Sequence, residues 1–181
     1  MNIMLAILLV LVLLIVLLLV LALVTKSEFS IEREVTINRP RQAVFDYLKL
    51  LKNQEYYSIW VMQDPTNQIT YHGVDGTVGF VAKWEGKKQA GKGEQEIVSL
   101  VDDSSLHVEL RFEKPFKNIA QTYMIATDAG ENQTKVKWKM VGRNKFPMTL
   151  FNLVADGLLG KDMDKSLIKL KEMLTTNRNP K

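Results

Sequence analysis

Residues 3–24 form an unbroken apolar run with no charged, polar, Gly or Pro residue. About 20 such residues make a helix that crosses roughly 30 Å of hydrocarbon, because each residue rises about 1.5 Å and lipid offers no partner to an unpaired backbone group. From residue 29 the texture turns to alternation. Phe29, Ile31, Val35 and Ile37 are apolar with polar residues between them, which predicts a half-buried strand over 29–37. Pro40 then suits the first turn of a helix over 41–51, where Val44, Phe45, Leu48 and Leu51 recur with a period near 3.6. A second short helix is predicted at 54–60. Gly73, Gly76 and Gly79 punctuate short segments, and extended runs follow at 80–84, 93–100, 106–112, 119–126 and 134–141. The last is the clearest, since Thr134, Val136, Trp138 and Met140 alternate with Lys135, Lys137 and Lys139. Residues 147–174 return to helical spacing, and Gly157 and Gly160 predict a break into a short helix and a longer one.

The order is therefore a strand, two short helices, a run of about six antiparallel strands and a long helix, an α+β architecture. A sheet with one dry face needs a cover, and the terminal helix is the one element long enough to supply it. The chain divides into an N-terminal transmembrane anchor (1–25), one soluble domain (26–176) and a polar tail (177–181).

The apolar run differs from a cleaved secretory signal in three ways. No Lys or Arg precedes it, it exceeds the usual apolar stretch of about 7 to 15 residues, and the end at 22–24 is a poor cleavage site. The first basic residues, Lys26 and Arg33, follow the run, so the positive-inside bias places the domain in the cytoplasm. The absence of cysteine fits a reducing compartment. A net charge of +4 is too small to argue for nucleic acid, and no nucleic-acid partner is expected.

The element order, together with Val44-Phe-Asp-Tyr-Leu48 after Pro40, Gly91-Lys-Gly-Glu-Gln-Glu-Ile97, Leu110-Arg-Phe-Glu-Lys-Pro-Phe116, Phe146-Pro-Met148 and Gly160-Lys-Asp-Met163, resembles the SRPBCC or START-like superfamily. The similarity is to its polyketide cyclase/dehydrase branch. The resemblance implies a helix-grip fold, a curved antiparallel sheet around a long C-terminal helix. It also implies a cavity between the two that in relatives holds lipids, hormones or other hydrophobic molecules. These are fold motifs and imply no particular reaction.

Few residues carry recognisable chemistry. Residues 86–93 match a phosphate-binding loop at seven of eight positions, but Gly93 stands where a Ser or Thr hydroxyl is needed and a strand follows instead of a helix, so a hairpin turn is the better reading. His72 and His107 stand on different segments without metal-ligand spacing, so neither a metal nor a cofactor is expected. Glu109 and Arg111 share one strand face with His107. Unbroken alternation turns them to solvent as a surface ladder, whereas a bulge would aim Arg111 inward as an anchor for a carboxylate or phosphate. Aromatic rings give wide apolar walls with one polar tip, so Trp60, Trp84, Tyr123 and Trp138 are candidates for a cavity wall beside Met140. Met148, Phe151, Met163 and Leu167 are candidates from the terminal helical segment.

The sequence is best explained as a membrane-anchored binding module for a hydrophobic or amphipathic small molecule. One alternative is a cyclase or dehydrase with Glu96, Glu109 or His107 as acid or base in the cavity. A second is a protein-binding scaffold, which an apolar patch outside the cavity would favour. The oligomeric state is left open.

Overall fold

The structure, a computed structural model, describes residues 2–88 and 90–176; the tail expected at 177–181 lies outside the described residues. The apolar run forms one helix, α1 (Ile3–Val24), long and apolar enough to cross a bilayer. Only three residues separate it from the first strand, β1 (Glu28–Ile37). Helices α2 (Arg41–Leu48), α3 (Gln54–Tyr57) and α4 (Ile59–Met62) follow, then strands β2 (Gln68–His72), β3 (Val81–Glu85), β4 (Lys92–Val101), β5 (Ser105–Lys114), β6 (Asn118–Gly130) and β7 (Gln133–Arg143). A 3-10 turn at Met148–Phe151 leads into α5 (Asn152–Thr175).

The seven strands form one antiparallel sheet in the order β1-β7-β6-β5-β4-β3-β2. Strand β1 pairs with β7 along its whole length, from Glu28 opposite Arg143 to Ile37 opposite Thr134, so the two ends of the domain close on each other. The concave face grips α5, and the dry layer between them holds Ile31, Ile37 and Val136 against Met163, Leu167 and Leu170. Helix α2 adds Val44, Phe45 and Leu48 to the same core.

Three local departures from the periodicity have physical causes. The helix expected over 41–51 stops at Leu48, because the Asp75 carboxylate accepts hydrogen bonds from the backbone N–H groups of Leu51 (2.8 Å) and Lys52 (3.1 Å) and starts a separate turn there. The helix expected at 54–60 is two single turns divided at the extended Ser58, and Ile59 N–H donates to the Ser166 hydroxyl of α5 (3.0 Å). Strand β2 escaped the pattern because it has only two inward apolar positions, Ile69 and Tyr71, and pairs only with β3 at the sheet edge.

The break expected at Gly157 and Gly160 does not occur, and α5 is continuous. Gly160 is buried beneath the guanidinium of Arg33, which reaches over the helix from the inward phase of β1. There Arg33 pairs with Asp156 (2.9 Å) and Asp164 (3.0 Å). A side chain at position 160 would occupy the space of that guanidinium, so this glycine is a packing device and not a helix terminator.

A candidate ligand cavity under the N-terminal end of α5

Sheet and helix do not close everywhere. Between them lies a cavity of about 780 Å³, within the range usual for small-ligand sites. Strand alternation builds its floor: Leu106, Val108, Leu110 and Phe112 point in from β5, Ala120, Thr122 and Met124 from β6, and Trp138 and Met140 from β7. Ala82 and Trp84 of β3 extend it, and Trp60 and Val61 of α4 form one side. The roof is Met148 and Phe151 of the 3-10 turn with Leu159 of α5.

Aromatic packing makes these walls stiff. The rings of Trp60 and Trp138 meet edge to face with centroids 5.3 Å apart, and Trp84 meets Phe112 in the same manner at 5.6 Å. The buried Trp138 Nε1 donates to Thr122 Oγ1 (2.7 Å), and the half-buried Trp84 Nε1 donates to the Ala90 carbonyl (3.0 Å). Gly93 stands directly opposite Trp84 and leaves room for its ring, which accounts for the glycine where the phosphate-loop pattern needs a hydroxyl. The turn between β3 and β4 is the hairpin expected there. Asp64 secures it, accepting from Thr66 Oγ1 and from the N–H groups of Lys88 (3.1 Å) and Ala90 (3.2 Å), and these bonds hold its carboxyl well below the usual range.

Of the wall candidates taken from the sequence, Trp60, Trp84, Trp138, Met140, Met148 and Phe151 line the cavity. Three do not, and their placement corrects the expectation. Tyr123 faces the other side of the sheet and stacks on His107 with centroids 4.3 Å apart. Both phases of β6 carry apolar residues, Ala120, Met124 and Ala126 inside and Ile119, Tyr123 and Ile125 outside, so alternation alone does not tell which face is dry. Met163 and Leu167 are fully buried, but in the stretch of α5 that packs directly on the sheet, beyond the closed end of the cavity.

The outer face of β4 and β5 settles the position of Arg111. The pairing of these strands is irregular between Lys92 and Gly93 and between Ile97 and Ser99, but the register runs evenly from Gly93 opposite Phe112 to Ile97 opposite Val108. There the Arg111 guanidinium bonds Glu94 (2.7 Å), Glu109 (2.7 Å) and Glu96 (2.5 Å) outside the cavity. Arg111 holds the Glu94 carboxyl below the usual range, the Gln121 amide and then Arg111 do so for Glu109, and the three carboxylates raise the Arg111 pKa. The acid and base candidates Glu96, Glu109 and His107 therefore all stand on the convex face. Among the described residues the cavity wall includes no Asp, Glu or His; its ionisable side chains are Lys114, Lys117, Arg143 and Lys145. Its neutral polar groups are amides and hydroxyls of Gln54, Ser58, Gln63, Gln95, Asn118, Thr122 and Asn144, and Asn67, whose buried Oδ1 has no hydrogen-bond partner among the described residues. No periodic signal marks these polar residues.

The pattern of the family described as polyketide cyclase/dehydrase and lipid transport matches residues 28–175. The chain belongs to that family, within the SRPBCC or START-like superfamily, and has its helix-grip fold. No curated protein sequence matches it. Among solved structures it is similar to norcoclaurine synthase from Thalictrum flavum in complex with dopamine and hydroxybenzaldehyde, at TM-score 0.63 and 11% identity over 87% of this chain and 92% of that one. It is similar also to Ara h 8.0201, at TM-score 0.55 and 15% identity over 83% of this chain and 99% of that one. Protein CV1439 from Chromobacterium violaceum aligns at TM-score 0.59 and 10% identity, over 81% of this chain and 98% of that one. At these identities the likeness is one of fold.

Proposed function

We propose that this protein is a membrane-anchored binding module that holds a hydrophobic or amphipathic small molecule in the cavity under α5. The observation that carries the reading is the cavity itself, about 780 Å³ and lined mainly by aliphatic and aromatic side chains. Such a space stays open only where rings and backbone hold its walls apart, and here two edge-to-face aromatic pairs do so. The family's description includes lipid transport, and the norcoclaurine synthase relative holds dopamine and hydroxybenzaldehyde, which supports a small-molecule occupant. The anchor is α1, and Lys26 at its C-terminal end favours a cytoplasmic domain.

The cyclase or dehydrase reading keeps its place in the family but gains nothing from the wall. Its acid and base candidates are spent on the convex face, where Arg111 binds Glu96 and Glu109, and His107 bonds the Gln121 amide (2.6 Å). The reading is tested by titrating the full chain, in detergent, with fatty acids, isoprenoids and polyketide-like aromatics. All three tryptophans of the chain line the cavity, so binding at micromolar levels quenches their emission and raises the melting temperature by mass action. A panel of this breadth that moves neither signal would remove the support for a binding module.

A further inference from the structure

We propose that the mouth of the cavity rests on the bilayer surface and admits an anionic amphiphile from it through a rim of basic side chains. The inference rests on the membrane-anchored binding reading and adds where the occupant comes from and what charge it carries.

The mouth is fixed by the residues of the wall that are exposed. Apart from Gln63 after α4, they lie at the end of β5 and on the turn that follows it, with Lys114, Phe116 and Lys117, and at the end of β7 and on the segment that follows it, with Arg143, Lys145, Phe146 and Met148. Both segments are tied to the end of α1. Thr149 of the 3-10 turn is buried and donates to the carbonyl of Ala22, the one buried residue of α1 (2.6 Å). Asn152 Nδ2 donates to the carbonyls of Lys26 (2.8 Å) and Ser27 (3.0 Å), and Asn144 N–H donates to Ser27 as well (2.8 Å). The chain of amides continues outward: Asn144 Nδ2 donates to Asn152 Oδ1 (2.6 Å), and Asn118 Nδ2 to Asn144 Oδ1 (2.8 Å). Three asparagines thus connect the anchor's linker to both lips of the mouth.

The linker itself allows little freedom, since the four Cα steps from Val24 to Glu28 span at most about 14 Å. With α1 across a bilayer, carbonyls of residues 22, 26 and 27 lie at its surface, and so do the lips bonded to them. The rim has the composition of such a surface. Phe116 is 60% exposed and Phe146 50%, large apolar side chains with no protein cover. Around them Lys114, Lys117 and Lys145 form no ion pair with a described residue, and Arg143 pairs with the exposed Glu28 at 3.4 Å and donates to the Ser27 hydroxyl at 3.2 Å. Aromatic side chains with unpaired lysines seat in the headgroup layer of anionic lipid. Behind them the cavity is mainly apolar and, among the described residues, has no carboxylate on its wall, so a molecule with an anionic head and an apolar body matches the site.

The test uses the full chain in nanodiscs. The sequence has no cysteine, so a spin label at Phe116→Cys is unique, and Asp102→Cys on the turn at the opposite end of β5 is its control. Lipids brominated on the acyl chain report entry by quenching the three cavity tryptophans. The label at 116 is expected to be shielded from aqueous relaxant and reached by oxygen, while that at 102 stays in water. Brominated anionic lipid is expected to quench more than brominated phosphatidylcholine, and Lys114→Gln/Lys117→Gln/Lys145→Gln to cut that preference about tenfold. Equal aqueous exposure of the two labels, or equal quenching by the two lipids, overturns the proposal. If free brominated fatty acid then still quenches, the cavity binds ligands but does not receive them from the bilayer. If it does not quench either, the binding reading falls with it.

Discussion

Trp138 carries two tasks that mutation can separate. Its ring is 5% exposed, packs on Trp60 and bonds Thr122, yet one side faces the cavity. Truncation to Ala removes contacts on one side only, so a cost near the low end for a large buried aromatic is expected, about 3 kcal/mol by denaturant unfolding, together with weaker ligand uptake. A pair of leucines on α5 makes a sharper contrast. Leu159 borders the cavity, so Leu159→Trp should extend an indole into it and weaken uptake at a stability change under about 1 kcal/mol. Leu167 is buried in closed packing, so Leu167→Trp overpacks the core and costs about 1 to 3 kcal/mol or more. Both are read by thermal melting beside tryptophan quenching. The sequence made Leu167 a candidate for the wall because helical periodicity tells which residues face the sheet and is silent on where along the helix the sheet pulls away.

The two glycines of α5 give an opposed pair among the elements. A methyl at position 157 meets open space, so Gly157→Ala should stabilise by about 0.5 to 1 kcal/mol through helix propensity. A methyl at 160 displaces Arg33 from Asp156 and Asp164, so Gly160→Ala should destabilise in spite of the same propensity gain. Equal effects in urea titrations would contradict the packing role given to Gly160. Acid should act on the convex face of the sheet. Glu94 and Glu109 have lowered pKa values in the folded protein, so their stabilisation is complete above the unfolded value, about 4.3, and is lost as pH falls through the folded values. Melting temperature should therefore drop below about pH 4, and less steeply in Arg111→Gln. At this scale much was legible: the strand phases of β1 and β7 and a terminal helical segment follow from periodicity, whereas the face taken by Arg111 on β5 stayed open and the continuity of α5 through its two glycines was not foreseen. The phase of β6 was not, because apolar side chains occupy both its faces, and β2 was too short to repeat. Arg33, on the inward phase of β1, broke the apolar pattern and was the visible sign of the crossing over Gly160.

For the whole molecule, the arrangement of α1, the cavity and its mouth matters more than any single contact. Periodicity predicted a helix able to span a membrane and a sheet needing a cover. It held no information on the asparagine chain from the linker to the rim, since those bonds join residues 118, 144 and 152 that lie far apart in sequence. The proposed binding module holds an amphipathic molecule in its cavity. Native mass spectrometry of the full chain, released from its own membrane in mild detergent, tests it most directly. A bound amphiphile is expected at one copy per chain in the wild type and at lower occupancy in Leu159→Trp. A wild-type protein that emerges bare, or with the same occupancy as Leu159→Trp, would refute the binding module.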